Sequence, residues 1–407
     1  MGVEFKQRTL DNGLTIVAEV DPDAHTAAAG FFVRTGARDE DSPVMGVSHF
    51  LEHMMFKGTD DLSADDINRG FDDLGARNNA YTSGELTCFY ASCIPERFGD
   101  ALGLLSKMMR PALRQDDFDT EKNVILEEIA MYRDNPFWVL YEECTDRRYR
   151  PHGLAHRVLG TDETITALQR DQMLAYFEDR YSADNTTLSL AGRVDFDHAC
   201  ALAEELCGRW QTTRPGRDRS RPRTNDETFA MGDAKVSRGY VIGIADAPAI
   251  DDDDRYAAAL AAAALGGPDN SRLHWALIET GLADEAQAAA DAHDGAGDYF
   301  VYASGDPGRL DEIWSVIERE AKGLRDSLDG HDLERLRTRQ ATAAALAGER
   351  PGDRMQRLGR LWTMLGRYIS LEEDVDRIAR VTLEEARAVL DRWPIEPRLV
   401  GRLMPGE

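Results

Sequence analysis

The spacing of apolar residues changes period along the chain, and each change marks an element. Phe5-Lys6-Gln7-Arg8-Thr9-Leu10 and Leu14-Thr15-Ile16-Val17 flank the turn signal Asp11-Asn12-Gly13 and predict a hairpin over Phe5 to Val20. Thr26 to Thr35, Ala-rich and then Phe31-Phe32-Val33, reads as a buried strand. Gly36 to Gly46 reads as a loop. No Gly or Pro falls between Val47 and Lys57, which predicts a helix. Ser63 with Asp65 and Asp66 supplies an N-cap and an acidic first turn for a second helix that stops at Gly75. Asn78 to Thr82 and Leu86 to Tyr90 predict two short strands around Ser83-Gly84. Phe98, Leu102, Leu105 and Met109 fall at helical spacing and Pro111 ends that run. Phe118 to Arg133 is a further helix, broken at Asn135-Pro136. Thr164 to Tyr181 predicts a helix, Thr186 to Ala191 a strand closed by Gly192, and Ala199 to Trp210 a helix.

Thr212 to Glu227 is polar and Arg-rich with Pro215 and Pro222, and reads as a linker whose basic run is solvated. After it the order begins again. A strand is expected at Tyr240 to Ile244 and a helix at Asp254 to Leu265, then a helix over Ser271 to Glu279. Strands follow near Ala286 to Ala288 and at Asp298 to Tyr302, and long helices after Asp311 and His331. The expected division is residues 1–211, a linker at 212–227, and a similar domain at 228–407. No residue-level repeat accompanies the repeated order.

A chain of 407 residues, 42% hydrophobic, is long enough for two cores and globular in composition. Its net charge of −26 disfavours nucleic acid and anionic membrane surfaces as partners. No apolar run reaches the ~18 residues of a membrane span. Met1 to Asp11 does not resemble a signal peptide. The five Cys show no metal-type pairing and read as mostly buried free thiols in a reducing compartment, so the expected location is cytoplasmic.

The candidate chemistry lies in His49-Phe50-Leu51-Glu52-His53. On a helix, His49 and His53 lie on one face, and two imidazoles so placed hold a zinc ion. Glu52 sits at the edge of that face, where a general base belongs rather than a ligand. This is the H-x-x-E-H order. On the later helix Glu121 and Glu128 are seven apart and share a face with Val124 and Ile125 between them. From that helix alone a buried pair and a solvated pair are equally open, since Glu127 next door also fits a solvated role.

Three stretches resemble the pitrilysin–insulinase family of zinc peptidases, and within it the single-length subunits of the mitochondrial processing peptidase type. They are Gly46 to Thr59, Asn79-Ala80-Tyr81-Thr82 and Glu121 to Ile129; Leu159-Gly160-Thr161 and Ala191-Gly192 also fit. The resemblance implies a third ligand about seventy-five residues after the second His, with an auxiliary Glu seven residues earlier. Those positions are Glu128 and Glu121, with Glu127 the competitor for the ligand role. It implies one Zn2+ per chain and a peptide-hydrolysing site with Glu52 as general base and Glu121 supporting a ligand. It further implies peptide binding along the strand Asn79 to Thr82 by β-augmentation.

The implied fold is α+β, LuxS/metallopeptidase-like: two similar domains related by pseudo-symmetry, each a mainly antiparallel sheet with helices on one face. The resemblance also implies a homo- or heterodimer. Active relatives carry an Arg and a Tyr in a segment matching Leu277 to Asp284, where this chain has Ile278 and Asp284. Tyr299 and Tyr302 are alternative sources of a tyrosine, and a related partner subunit could supply the pair. A non-catalytic assembly subunit and an inactive zinc scaffold are the other readings.

Overall fold

The computed structural model describes residues 2–406; Met1 and Glu407 lie outside the described residues. The hairpin forms as β1 (Glu4–Thr9) and β2 (Thr15–Val20), and β3 (Ala27–Val33) follows. The zinc-motif helix is α1 (Val47–Met55), and α2 (Ala64–Asp73) starts at a Ser63–Asp66 capping box. Next come β4 (Arg77–Thr82), β5 (Thr87–Cys93), α3 (Phe98–Met108) and α4 (Gln115–Arg133). Pro136 ends one helix and occupies the first turn of another, α5 (Pro136–Tyr149), with Asn135 capping it.

The helix expected over Thr164 to Tyr181 is two, α6 (Asp162–Ala167) and α7 (Arg170–Arg180). Leu168 turns extended and the backbone N–H of Gln169 donates to the Gln172 side chain, which starts a second N-terminus. Strand β6 (Thr186–Gly192) and α8 (Phe196–Cys207) complete the first half.

The second half holds β7 (Glu227–Asp233), β8 (Gly239–Asp246), α9 (Asp254–Gly266), β9 (Ala283–His293) and β10 (Ala296–Gly305). The helix expected over Ser271 to Glu279 is mainly a π turn at His274–Ile278. Helices α10 (Leu310–Ser327), α11 (Gly330–Ala347), α12 (Pro351–Leu365), α13 (Leu371–Arg380) and α14 (Leu383–Arg392) precede β11 (Leu399–Pro405).

Two sheets result, β1-β2-β6-β3-β5-β4 and β7-β11-β8-β10-β9. Without β1 the orders correspond strand for strand, and each sheet has one parallel pair, β2 with β6 and β7 with β11. The duplication expected from element order is thus a duplication of topology.

Contacts group the chain into two compact units. One is residues 1–129, 156–218 and 346–369, and the other 130–155, 219–345 and 370–407. Each unit therefore takes a helix from the opposite half of the sequence. In the first unit one face of the sheet carries the main core, with Ile16, Phe31, Phe89 and Leu188 packed on Phe50, Met54, Phe118 and Ile125. The other face receives α12. A Cβ on Gly359 would collide with the Phe32 ring, and Ser189 donates to the Met355 carbonyl at 2.8 Å. Strand β3, covered on both sides, is buried at every residue.

In the second unit Val241, Val301 and Trp314 pack with the Ala-rich α9. Helix α5 covers the opposite face through Leu140 and Cys144, beside Ile242 and Leu403. Arg148, fully buried, ties α5 to β8 by donating to Asp246 at 2.6 Å.

The linker's basic run is only partly solvated. Arg217 is buried and holds Asp39 through two bonds, at 2.8 and 2.6 Å. Arg219 bonds the buried Asp294 at 2.7 Å, and Arg221 lies over the Trp393 ring. Short-range composition read these arginines as free because their carboxylate partners are distant in sequence. All five cysteines are buried free thiols. Among the described residues no helix is long and apolar enough to cross a membrane.

Gly359→Val should force the Phe32 ring aside and destabilise the first unit by about 2 kcal/mol, as overpacking a filled core does. Denaturant unfolding of the variant checks it. A loss under 0.5 kcal/mol would show that α12 is not closely seated.

Candidate active site

Helix α1 is fixed at its start by a carboxylate. Its N-cap is Gly46, at φ 95°, where a Cβ would lie 2.6 Å from the Leu159 carbonyl oxygen. Gly160, at φ 75°, closes the same contact from the other side, which gives Leu159-Gly160-Thr161 a physical role. The orphan N–H groups of Gly46 and Ser48 both donate to Glu40, at 2.7 and 2.8 Å. Glu40 is buried, and that burial pushes its carboxyl up to about 8 against the backbone bonds that pull it down. The Ser48 hydroxyl pairs with the Tyr176 hydroxyl at 2.7 Å, and so does that of Thr35. Sequence reading missed Glu40; its only signal was an acidic residue in a loop ahead of a helix without a side-chain N-cap.

The rings of His49 and His53 lie 4.7 Å apart on one face of α1. Helix α4 brings Glu128 to them: its Oε2 is 3.8 Å from His49 Nε2 and 3.6 Å from His53 Nε2. One ligand atom from each residue falls within 4.8 Å of the others. Glu127 points to solvent. Glu121 accepts from His53 Nδ1 at 2.9 Å and pairs with the Lys57 ammonium. That bond assigns the Nδ1 proton and leaves the Nε2 lone pair directed at Glu128.

The donor set fits zinc. Zinc takes both imidazole nitrogen and carboxylate oxygen, and three protein ligands leave a position open for water or substrate. His49 turns its Nε2 toward Glu128, while its Nδ1 is buried without a hydrogen-bond partner. Burial, and then the neighbouring His53, lower the His49 pKa to about 3 and keep it neutral, the ligand form. Burial also raises the Glu128 pKa, aided by the Glu121 charge and opposed by His53. At His53 burial opposes the charge, but the Glu121 bond and the surrounding carboxylates outweigh it and raise the pKa. Glu121 is lowered instead, because its bonds to His53 and Lys57 overcome burial.

Glu52 lies beside this cluster. Thr82 donates its hydroxyl to Glu52 Oε2 at 2.6 Å. Burial raises the Glu52 pKa in spite of that bond. Strand β4 is the outer edge of its sheet, and Ala80 and Tyr81 pair inward with Phe89 and Cys88. Tyr81 points to the side away from Thr82 and donates to Gln356 on α12 at 3.0 Å. Asn79 is exposed and its side chain accepts from the Ala80 N–H at 2.9 Å. So Thr82 meets the Glu52 carboxylate, while Tyr81 anchors the strand from behind.

The residues named in the second half have their own surroundings. Ile278 ends the π turn, and Asp284 pairs with Arg238 at 2.9 Å. Tyr299 is buried in the second core, and Tyr302 donates to Glu285 at 2.8 Å.

The repeated sheet-and-helix topology gathers two imidazoles and three carboxylates in one of its copies, a donor set of the kind that holds a catalytic metal. Residues 15–162 match the model of Insulinase (Peptidase family M16), and residues 167–340 that of the Peptidase M16 inactive domain. The uncharacterized zinc protease YmxG of Bacillus subtilis is 29% identical over 98% of this chain and 98% of its own length. An uncharacterized zinc protease of Mycobacterium tuberculosis is 32% identical over 94% of this chain and 89% of its own. The crystal structure of a protease from Helicobacter pylori superposes with a TM-score of 0.92, covering 99% of this chain and 100% of that one at 18% identity. The chain belongs to the insulinase family, peptidase family M16.

Glu40→Ala should strip a buried acceptor from two N–H groups and destabilise the protein by about 2 kcal/mol, with Glu40→Gln in between. Urea unfolding of the metal-free protein measures it. Equal stability of wild type and Glu40→Ala would remove Glu40 as the anchor of α1.

Proposed function

We propose that this chain is a zinc-dependent endopeptidase that hydrolyses peptides or short unfolded segments. His49, His53 and Glu128 would hold one Zn2+ per chain, and Glu121 would orient His53 from behind. Bound zinc supplies Lewis acidity, which acidifies a water and polarises a peptide carbonyl. Glu52 takes the proton of the attacking water and returns it to the leaving nitrogen. Burial raises the Glu52 pKa, the direction that makes its carboxylate a stronger base. Thr82 holds one oxygen of that carboxylate, and the free edge of β4 at Asn79, Ala80, Tyr81 and Thr82 would align the substrate backbone. The observation that carries the reading is the convergence of His49, His53 and Glu128 next to the half-buried Glu52 carboxylate, which is not itself a ligand.

The same reading gives the chain a related partner subunit, as a homo- or heterodimer. Ile278 and Asp284 occupy the segment where an Arg and a Tyr are expected, and Asp284 is engaged by Arg238. The buried free thiols favour a reducing, cytoplasmic setting.

Zinc content and cleavage of a quenched fluorescent peptide library test the catalytic reading together. Wild type should hold about one zinc and cleave. Glu52→Gln should keep the metal and lose about 10³-fold in rate, within the range for a general base. His49→Ala should lose both. Metal-free wild type, or undiminished cleavage by Glu52→Gln, would overturn the assignment. The partner requirement has its own readout: the purified chain alone should cleave far more slowly than when supplemented with its related subunit. Full efficiency alone would remove that requirement.

A further inference from the structure

A cavity of about 400 Å3 opens in the second unit where α5 begins, within the ~300–1,000 Å3 usual for small-ligand pockets. Strand register builds its floor. Tyr302 of β10 lies opposite Ile242 of β8 on one side and Gln287 of β9 on the other. Tyr240 and Glu285, each two residues from those partners, share the face. Pro136 and Phe137 form the wall, and the Phe137 ring stands perpendicular to that of Tyr302 with centroids 5.0 Å apart. None of these residues belongs to the candidate metal site.

The cavity holds one charge. Glu285 Oε2 accepts from the Tyr302 hydroxyl at 2.8 Å, and Glu285 has no ion-pair partner among the described residues. The cations nearby in sequence are already taken: Arg238 by Asp284 and Lys235 by Asp134. No Lys or Arg lines the cavity. Three aromatic rings that line the same cavity as an exposed carboxylate without an ion pair attract a flat or compact cation through ring quadrupole and charge together, and repel an anion. The net charge of −26 draws the same kind of ligand toward the protein.

We propose that this cavity is a binding site for an organic cation, the guanidinium or ammonium of a basic side chain or of a free polyamine. Glu285 takes the charge, and Phe137, Tyr240 and Tyr302 take the carbon chain and the cation's face. The site goes beyond the peptidase reading and does not depend on it.

Calorimetric titration of the whole 407-residue chain tests it, with and without zinc. The probes are N-acetyl-arginine amide, its neutral isostere N-acetyl-citrulline amide, and spermidine. The arginine amide should bind at least tenfold more tightly than the citrulline amide in both metal states. Glu285→Gln should cost about five- to tenfold in that affinity while leaving zinc content unchanged, the size expected for a partly exposed charge contact beside aromatic rings. Tyr302→Phe, which keeps the ring and removes the hydroxyl, should retain the preference for arginine over citrulline. Spermidine binding tighter than the arginine amide assigns the site to free polyamines, and the reverse order to peptide side chains. Equal affinity for arginine and citrulline amides, or Glu285→Gln binding like wild type, overturns the proposal. A failure of Glu52-dependent cleavage leaves these results untouched, so the two readings fail separately.

Discussion

The site depends first on how α1 seats against α4. Phe50, one residue after His49, stacks on Phe118 of α4 with centroids 4.7 Å apart and planes 16° off parallel. Both rings are buried in the core that also takes Ile125 and Ile129. With that contact fixed, the rigid geometry of two helices decides which side chains meet. Positions seven apart on α4 return to the same face, so Glu121 reaches the far nitrogen of His53 while Glu128 faces the near ones. A hydrophobic contact thus sets the spacing of polar groups, and the entropy cost of ordering them is met by the core rather than by the site.

The polar groups then shift one another's pKa values in opposite directions. Glu121 stays ionised because His53 and Lys57 stabilise its charge, and His49 stays neutral because it is buried. Glu52 and Glu128 sit in the opposite condition, with burial favouring their protonated forms. A cluster of three carboxylates and two imidazoles in so small a volume is electrostatically uneven without a cation, which is the usual condition of a catalytic site.

The two halves show how a duplicated topology divides its labour. The strand orders correspond, yet the half-buried His49, His53 and Glu128 group lies in the first copy, the second grouping only the more exposed Asp329, His331 and Asp332, and the copies share no residue pattern. Each sheet also receives a covering helix from the other half, α12 on the first and α5 on the second. The small residues at these seats, Gly359 against Phe32 and Gly401 against Cys144, permit the close approach.

The sequence by itself determined the local matters. Period and punctuation located the hairpin, β3, α1 to α4 and the repeat after the linker, because strand alternation, caps and Gly or Pro stops act within a few residues. It also determined that His49 and His53 share a face and that Glu52 stands at its edge, since helix geometry requires it. Tertiary structure alone decided the rest. Family resemblance already pointed to Glu128 over Glu127, but the reason it faces the imidazoles is tertiary: Phe118 and Ile125 orient α4 in the core. Glu40 caps α1 from a loop. Helices α5 and α12 leave their own halves, and Arg217 is buried on Asp39, 178 residues away. These outcomes turn on contacts between residues far apart in sequence, whose energies appear only when the sheets and helices have packed.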